Sequence, residues 1–283
     1  MEDFADPLRS MAKSGIRLNI AGPAPAETAV TRFGGVPDVP ADFQWPAFTT
    51  ATFDDDAVLL RPLAFLAQFR CADLAPLDKE HLLPETGLLS FFYELGSQRW
   101  GFDPSDRGCA RVFWFPETAE LAPAEVPADL ADEYRLPAMG IAMEPEVTWP
   151  DADDFYVNRP DLDDDWEPYW EARALLDMDE DPPEDRSRLL GWPDLIQGSF
   201  FGECALTDRG HYLGSGPVDL SPEDARAERD AVEDWQLLFQ LGTVTGDGFE
   251  LMFGDCGRVY FCIRKEDLTA RRFDRVWLIL QCG

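Results

Sequence analysis

Histidine occurs only twice, at His81 and His211, and no two of the cysteines at 71, 109, 204, 256, 262 and 282 are spaced as C-x-x-C. A zinc site would therefore lack its usual ligand pairs. Apolar runs such as Val276-Trp277-Leu278-Ile279-Leu280 are strand-length, far short of the roughly 20 residues of a bilayer helix. The opening MEDFADPLRSMAKSGIRLNI has acids at positions 2, 3 and 6 and no apolar core. It does not read as a secretory signal, so the expectation is a cytoplasmic protein with reduced thiols, mostly buried as small hydrophobes. Basic residues are scarce: 24 Lys and Arg face 55 Asp and Glu, a formal net charge of −31. Such a surface repels nucleic-acid phosphates and anionic lipid and attracts basic proteins and cations.

The 283 residues suffice for one large domain or two modest units sharing a core. With 45% hydrophobic and 12% aromatic residues, the chain has ample surface to bury. Residues 5–14 read as a short helix, and Pro-rich AGPAPAE (21–27) as a connector. Strands are predicted at Leu63–Phe69, Gly87–Tyr93 and Ala110–Phe115.

The second half repeats this order. Leu190-Gly191-Trp192-Pro193-Asp194 echoes Gly34-Gly35-Val36-Pro37-Asp38, Leu237–Leu241 echoes Phe65–Phe69, and Gly257–Ile263 echoes Gly87–Tyr93. A kept order with variable loops is the mark of two copies of one unit. Between them, residues 151–185 hold 15 acids against 2 arginines, threaded with Phe155, Tyr156, Trp166, Tyr169 and Trp170. Trp166–Met178 fits an amphipathic helix with Trp166, Trp170 and Ala174 on one side. Another helix fits 221–228, with Ser221 as N-cap and Pro222 in the first turn.

FGGVPDVPADFQWP, PLAFLAQFRCADL, LLGWPDLIQGSF and the C-terminal WQLLFQLGT, LMFGDCGRVYFCIRKEDL and ILQC together resemble the YwqG family of bacterial proteins. The resemblance runs from about Phe33 to Cys282 and is weakest in the acidic middle. It implies an α+β fold with a mixed, mainly antiparallel sheet core built from two pseudo-repeats; the residues themselves add peripheral helices and an acidic, aromatic-containing middle segment. Within a single domain, 1–31 would be helix and connector, 32–116 the first repeat, 117–187 the acidic segment and 188–283 the second repeat. The resemblance brings no catalytic residues. Genomic association of similar genes with toxin loci implies an immunity or binding role.

Motifs for chemistry fail one by one. Asp161–Trp166 opens like a calcium loop, but Trp166 stands at position 6 and Ala172 at position 12, where Gly and Glu are needed. Asp177–Pro182 fails likewise. Gly214-Ser215-Gly216 lacks the first glycine of a nucleophile elbow. Cys204 with His211 is a combinatorial pair only. Gly254-Asp255-Cys256-Gly257 reads as a turn joining strands Phe249–Phe253 and Arg258–Ile263, not as a phosphate loop. Gln68 and Gln240, at equivalent strand ends, are expected to satisfy backbone at a junction of the halves or to line a cleft there.

No catalytic residue, metal or cofactor is assigned. The candidate binding residues are Trp45, Gln68, Trp166, Trp170, Trp192, Gln197, Gln240 and Asp255. The leading reading is a protein-binding, immunity-like module for a basic protein partner, engaging neither nucleic acid nor membrane. The alternatives are an enzyme with its site in the cleft between the repeats and a DNA mimic.

Overall fold

The apolar runs become strands covered on both faces, which is why they show no alternation of apolar and polar residues. The computed structural model describes residues 2–158, 166–176, 183–216, 218–246 and 248–283. Ten strands share one sheet: β1 (Lys13–Pro23), β2 (Arg32–Phe33), β3 (Ala64–Arg70), β4 (Leu88–Tyr93), β5 (Ala110–Phe115), β6 (Met139–Thr148), β7 (Ser187–Leu190), β8 (Trp235–Leu241), β9 (Arg258–Arg264) and β10 (Trp277–Gln281). Their order is β10-β9-β8-β7-β1-β6-β2-β3-β4-β5. A central β1–β6 pair is thus flanked by two meanders, each running outward in sequence order. Every strand pairing among the described residues is antiparallel, so the expected mixed character is not found there.

The sheet curls until its flanks face each other, in a nearly closed, barrel-like form. Phe91 on β4 packs against Phe239 on β8, with ring centroids 4.7 Å apart, and against Phe261 on β9 at 5.3 Å. Each ring is fully buried, contributing about 1.5–3 kcal/mol by removal from water. The outer edge of β10 is covered where Leu280 N–H donates to Trp100 C=O at 3.0 Å. Outside the second flank, helix Phe201–Asp208 packs with Trp235, Tyr260 and Trp277. Outside the first, Phe43 and Trp45 from a loop and Phe48 from the strand that follows it cover Phe65 and Phe92.

Helix Pro222–Arg229 begins as its sequence predicts: Ser221 Oγ accepts from Asp224 N–H at 3.1 Å. The N-terminal helix spans Glu2–Ser10, and residues 13–23 form the central strand. One helix expectation needs correction. Helix Trp166–Leu175 buries Tyr169 and Ala172, not the Trp170 and Ala174 side; Trp170 is 46% exposed. The Tyr169 ring fits between Phe155 and the N-terminal helix, which fixes the rotation of this helix. The turn at Gly254–Cys256 connects strand Phe249–Leu251 to β9 as expected, and the two strands find separate partners: Phe249–Leu251 pairs with Val244–Gly246, while β9 pairs with β8 and β10. The loop candidates Asp161–Asp165 and Asp177–Pro182 lie outside the described residues. No helix among the described residues is long and apolar enough to cross a membrane.

Candidate functional site

Two buried clamps flank the central strands, and each starts from a short chain reversal. After Arg32 and Phe33 the backbone turns through Gly34 and Gly35, both left-handed at φ +57° and +75°. A side chain at Gly34 would meet Pro137 C=O at 2.2 Å. The turn brings Asp38 back onto Arg32, whose Nη1 donates to Asp38 Oδ2 at 2.7 Å, while Nη2 donates to Val36 C=O. Gln68 closes the ring: Nε2 donates to Asp38 Oδ2 at 2.6 Å and Val30 C=O at 2.9 Å, and Oε1 accepts from Asp38 N–H at 3.0 Å.

The same contacts recur around Arg188. The turn passes through Leu190 and Gly191 at φ +59° and +77°. Arg188 Nη2 lies 2.9 Å from Asp194 Oδ2, and Nη1 donates to Trp192 C=O at 2.6 Å. Gln240 Nε2 donates to Asp194 Oδ2 at 2.8 Å and Arg186 C=O at 3.0 Å, and Oε1 accepts from Asp194 N–H at 2.9 Å. In both flanks the strand register slips between the third and first residues before the glutamine, at Phe65/Ala67 and Leu237/Phe239. Gln68 and Gln240 are each consumed within their own flank and do not meet at a junction.

The second clamp is more heavily charged. Glu146 on β6 reaches Arg188 Nε at 2.9 Å and Arg17 Nε at 3.2 Å, with its side chain 7% exposed. Beside it, Lys13 Nζ sits 3.4 Å over the Trp192 ring. Burial, with the nearby Lys265 charge adding to it, lowers the Lys13 amine to about 8. Asp154 is fully buried, accepts from Ser199 Oγ at 2.5 Å, and is raised by burial to about 7.

A cavity of about 370 Å³ opens where β7 stops covering β1. The β1–β7 pairing ends at Leu18 and Ser187, and Arg17, Asn19, Asp185, Arg186 and Thr243 line the space beyond. It lies on the second flank only. It offers cations, hydroxyls, an amide and the Asp185 carboxylate.

The remaining candidates scatter. Trp45 is half-buried and donates to Leu63 C=O at 2.9 Å, holding its loop on the first flank. Gln197 is exposed, and its N–H donates to Gln281 Oε1 at 3.2 Å. Asp255 C=O accepts from Gly283 N–H at 2.9 Å at the turn before β9. Trp170 stands apart on its helix, 5.0 Å from the Arg173 guanidinium; Trp166 begins that helix. Trp192 alone joins the clamp, its Nε1 donating to Met11 C=O at 2.7 Å. Cys204 and His211 do not pair. Cys204 is buried against Cys262, which with burial raises its thiol, while His211 Nε2 lies 3.2 Å from Asp224. The described cysteines are all free thiols, buried except for the half-buried Cys256. No cluster of metal-ligating side chains occurs among the described residues.

Sequence reasoning found the glutamines and missed their arginines. The signal was present as Arg-x5-Asp in both RFGGVPD (32–38) and RLLGWPD (188–194).

A curled antiparallel sheet with a buried Arg–Asp–Gln clamp in each flank defines the class: an antiparallel sheet domain with peripheral helices. The chain belongs to the family described as Domain of unknown function (DUF1963), whose model matches residues 31–282. No curated protein matches it.

Proposed function

We propose that this protein is a recognition module, built from two related units, that holds a basic protein partner through an anionic exterior. The reading that 32–116 and 188–283 are copies of one unit is supported by the paired clamps, the matched register slips and the two outward meanders. The observation that carries the recognition reading is how the cations are used. At least thirteen arginines are engaged in ion pairs among the described residues. With 55 acids in the chain, what remains toward solvent is overwhelmingly negative. Such a field speeds encounter with a positive partner and disfavours nucleic acid and anionic membrane.

Neutralisation of a basic toxin inside the cytoplasm is the sharpest form of this reading. The test is binding of the purified protein to a panel of basic and acidic proteins by light scattering and calorimetry. Saturable binding to basic members, falling steeply as salt shortens the Debye length, is the expected result. Binding that ignores salt, or none to any basic protein, overturns it.

A further inference from the structure

One segment departs from the otherwise polar exterior. Strands Ala47–Thr50 and Leu59–Pro62 form a two-stranded ribbon outside the main sheet, with Thr49 opposite Leu60 and Thr50 opposite Leu59. Of the eleven exposed large apolar side chains on the described residues, four lie here: Phe53 at 73%, Val58 at 67%, Leu59 at 52% and Leu60 at 66%. A concentration like this within eight residues marks an interaction surface, since singly scattered apolar side chains are the norm. Leu59 and Leu60 point to opposite faces of their strand and both are exposed, so this end of the ribbon projects from the body while Phe48 and Thr50 anchor the other strand on it.

The connecting loop is held in shape. Phe53 N–H donates to Gly96 C=O at 3.0 Å, tying the tip to the loop after β4. Asp55 accepts from Ala57 N–H at 3.0 Å and from Arg61 Nη2 at 2.8 Å, and Arg61 Nε donates to Thr50 C=O at 3.2 Å. A fixed tip loses little conformational freedom when it binds. Asp54 and Asp56 remain exposed beside the apolar side chains, and Glu133 stands close by, since it and Asp54 both bear on the Tyr134 phenol.

The structure assigns this ribbon, residues 47–62, as the docking face for an extended basic segment of a partner protein, one that alternates apolar side chains with Lys or Arg. This rests on the recognition reading above and names its surface. The apolar side chains would supply the buried centre and the aspartates the charged rim. Exposed strand backbone would accept an added strand as far as Pro62, which has no N–H to offer. A second copy of this chain is the wrong occupant, because it would bring the same three aspartates and another −31 charge to the contact.

The probe is a fluorescent peptide of about ten residues alternating Lys and Val, with a Glu-for-Lys version as control, titrated by anisotropy against the full chain. The Lys peptide binds saturably and the Glu peptide does not. F53S/L60S weakens binding about tenfold or more, and D54N/D56N weakens it severalfold and flattens its salt dependence. V147S, at another exposed apolar position, leaves binding unchanged. All the altered side chains are exposed, so circular dichroism and thermal midpoint stay at wild-type values and a folding defect is separated from a docking defect. If the Lys peptide binds in a salt-dependent way but F53S/L60S binds it equally well, the ribbon is not the docking face, although the recognition reading stands. If neither the Lys peptide nor any basic protein binds, both fall.

Discussion

The carboxylate of Glu146 lies between two guanidinium groups, 3.2 Å from Arg17 Nε and 2.9 Å from Arg188 Nε. The two arginines differ in solvent access: the Arg17 side chain is 43% exposed and that of Arg188 only 4%. Removing Glu146 leaves the buried Arg188 Nε without its carboxylate partner, while Asp194 still neutralises the guanidinium from the other side. Glu146→Ala is expected to cost about 1–3 kcal/mol, whereas Arg17→Ala costs about 1 kcal/mol or less because water screens that side. Urea unfolding of both variants measures the contrast, and equal losses would contradict it.

Each clamp glutamine satisfies two backbone groups: Gln68 holds Val30 C=O and Asp38 N–H, and Gln240 holds Arg186 C=O and Asp194 N–H. Gln68→Leu and Gln240→Leu are each expected to destabilise by about 1–3 kcal/mol through unpaired buried groups. The two clamps share no residue, so the double variant should lose the sum to within about 0.5 kcal/mol. Chemical denaturation of the set tests this, and strong non-additivity would show the flanks to be coupled.

The two turns solve one backbone problem with different residues. Gly34 cannot carry a side chain, because its Cβ would lie 2.2 Å from Pro137 C=O. Leu190 accepts a similar left-handed angle and buries its side chain in the core. Gly34→Ala should therefore cost more than about 2 kcal/mol through clash and strain. Leu190→Ala should also destabilise, by about 2–5 kcal/mol, through its cavity. The thermal midpoints of the two variants report both effects, and an unchanged Gly34→Ala would refute the clash.

Stability should depend on pH through Lys13 and Asp154 in two separate windows. The Lys13 amine sits near 8 when folded, against 10.5 for a lysine in water. The unfolded chain then binds more protons between those values, so this group adds stability as pH rises from about 8 to 10.5. Asp154 sits near 7, against 3.8 for an aspartate in water. Here the folded chain holds the extra proton, and the stability this group contributes below about pH 4 is lost as pH rises through 7. Asp154→Asn should flatten the slope between about pH 4 and 7 and raise stability at about pH 8 by on the order of 1–3 kcal/mol relative to wild type. Urea midpoints across pH decide, and an unaltered slope would exclude Asp154 as its source.

Much of the sheet was readable in the sequence for a specific reason. β3, β4 and β8 are buried on both faces, so their apolar runs announce themselves without a partner in view. β1 and β6 were not readable. MGIAMEPEVT (139–148) mixes Glu and Pro with apolar residues because one face stays wet, and β2 is only two residues long. The turn at Asp255 and its two flanking strands were legible locally, but not which strands each pairs with, since a turn's residues do not encode a distant partner. The tryptophans at 166 and 170 stand out by size, yet Tyr169 decides how the helix rotates. The ribbon at 47–62 left no mark in the sequence, because exposure of Leu59 and Leu60 is a tertiary fact that composition does not carry.

The placement of β1 has a consequence for how the chain comes to be folded. Its residues 13–23 pair with 139–148 on one side and 187–190 on the other. A ribosome emitting this chain would deliver the middle of the sheet early and its two neighbours much later. The 64–115 meander can assemble while synthesis proceeds, but the seam must wait until residue 190 has emerged. Such long-range closure slows folding and leaves the unpaired borders of a half-built sheet open to chaperones until the seam shuts.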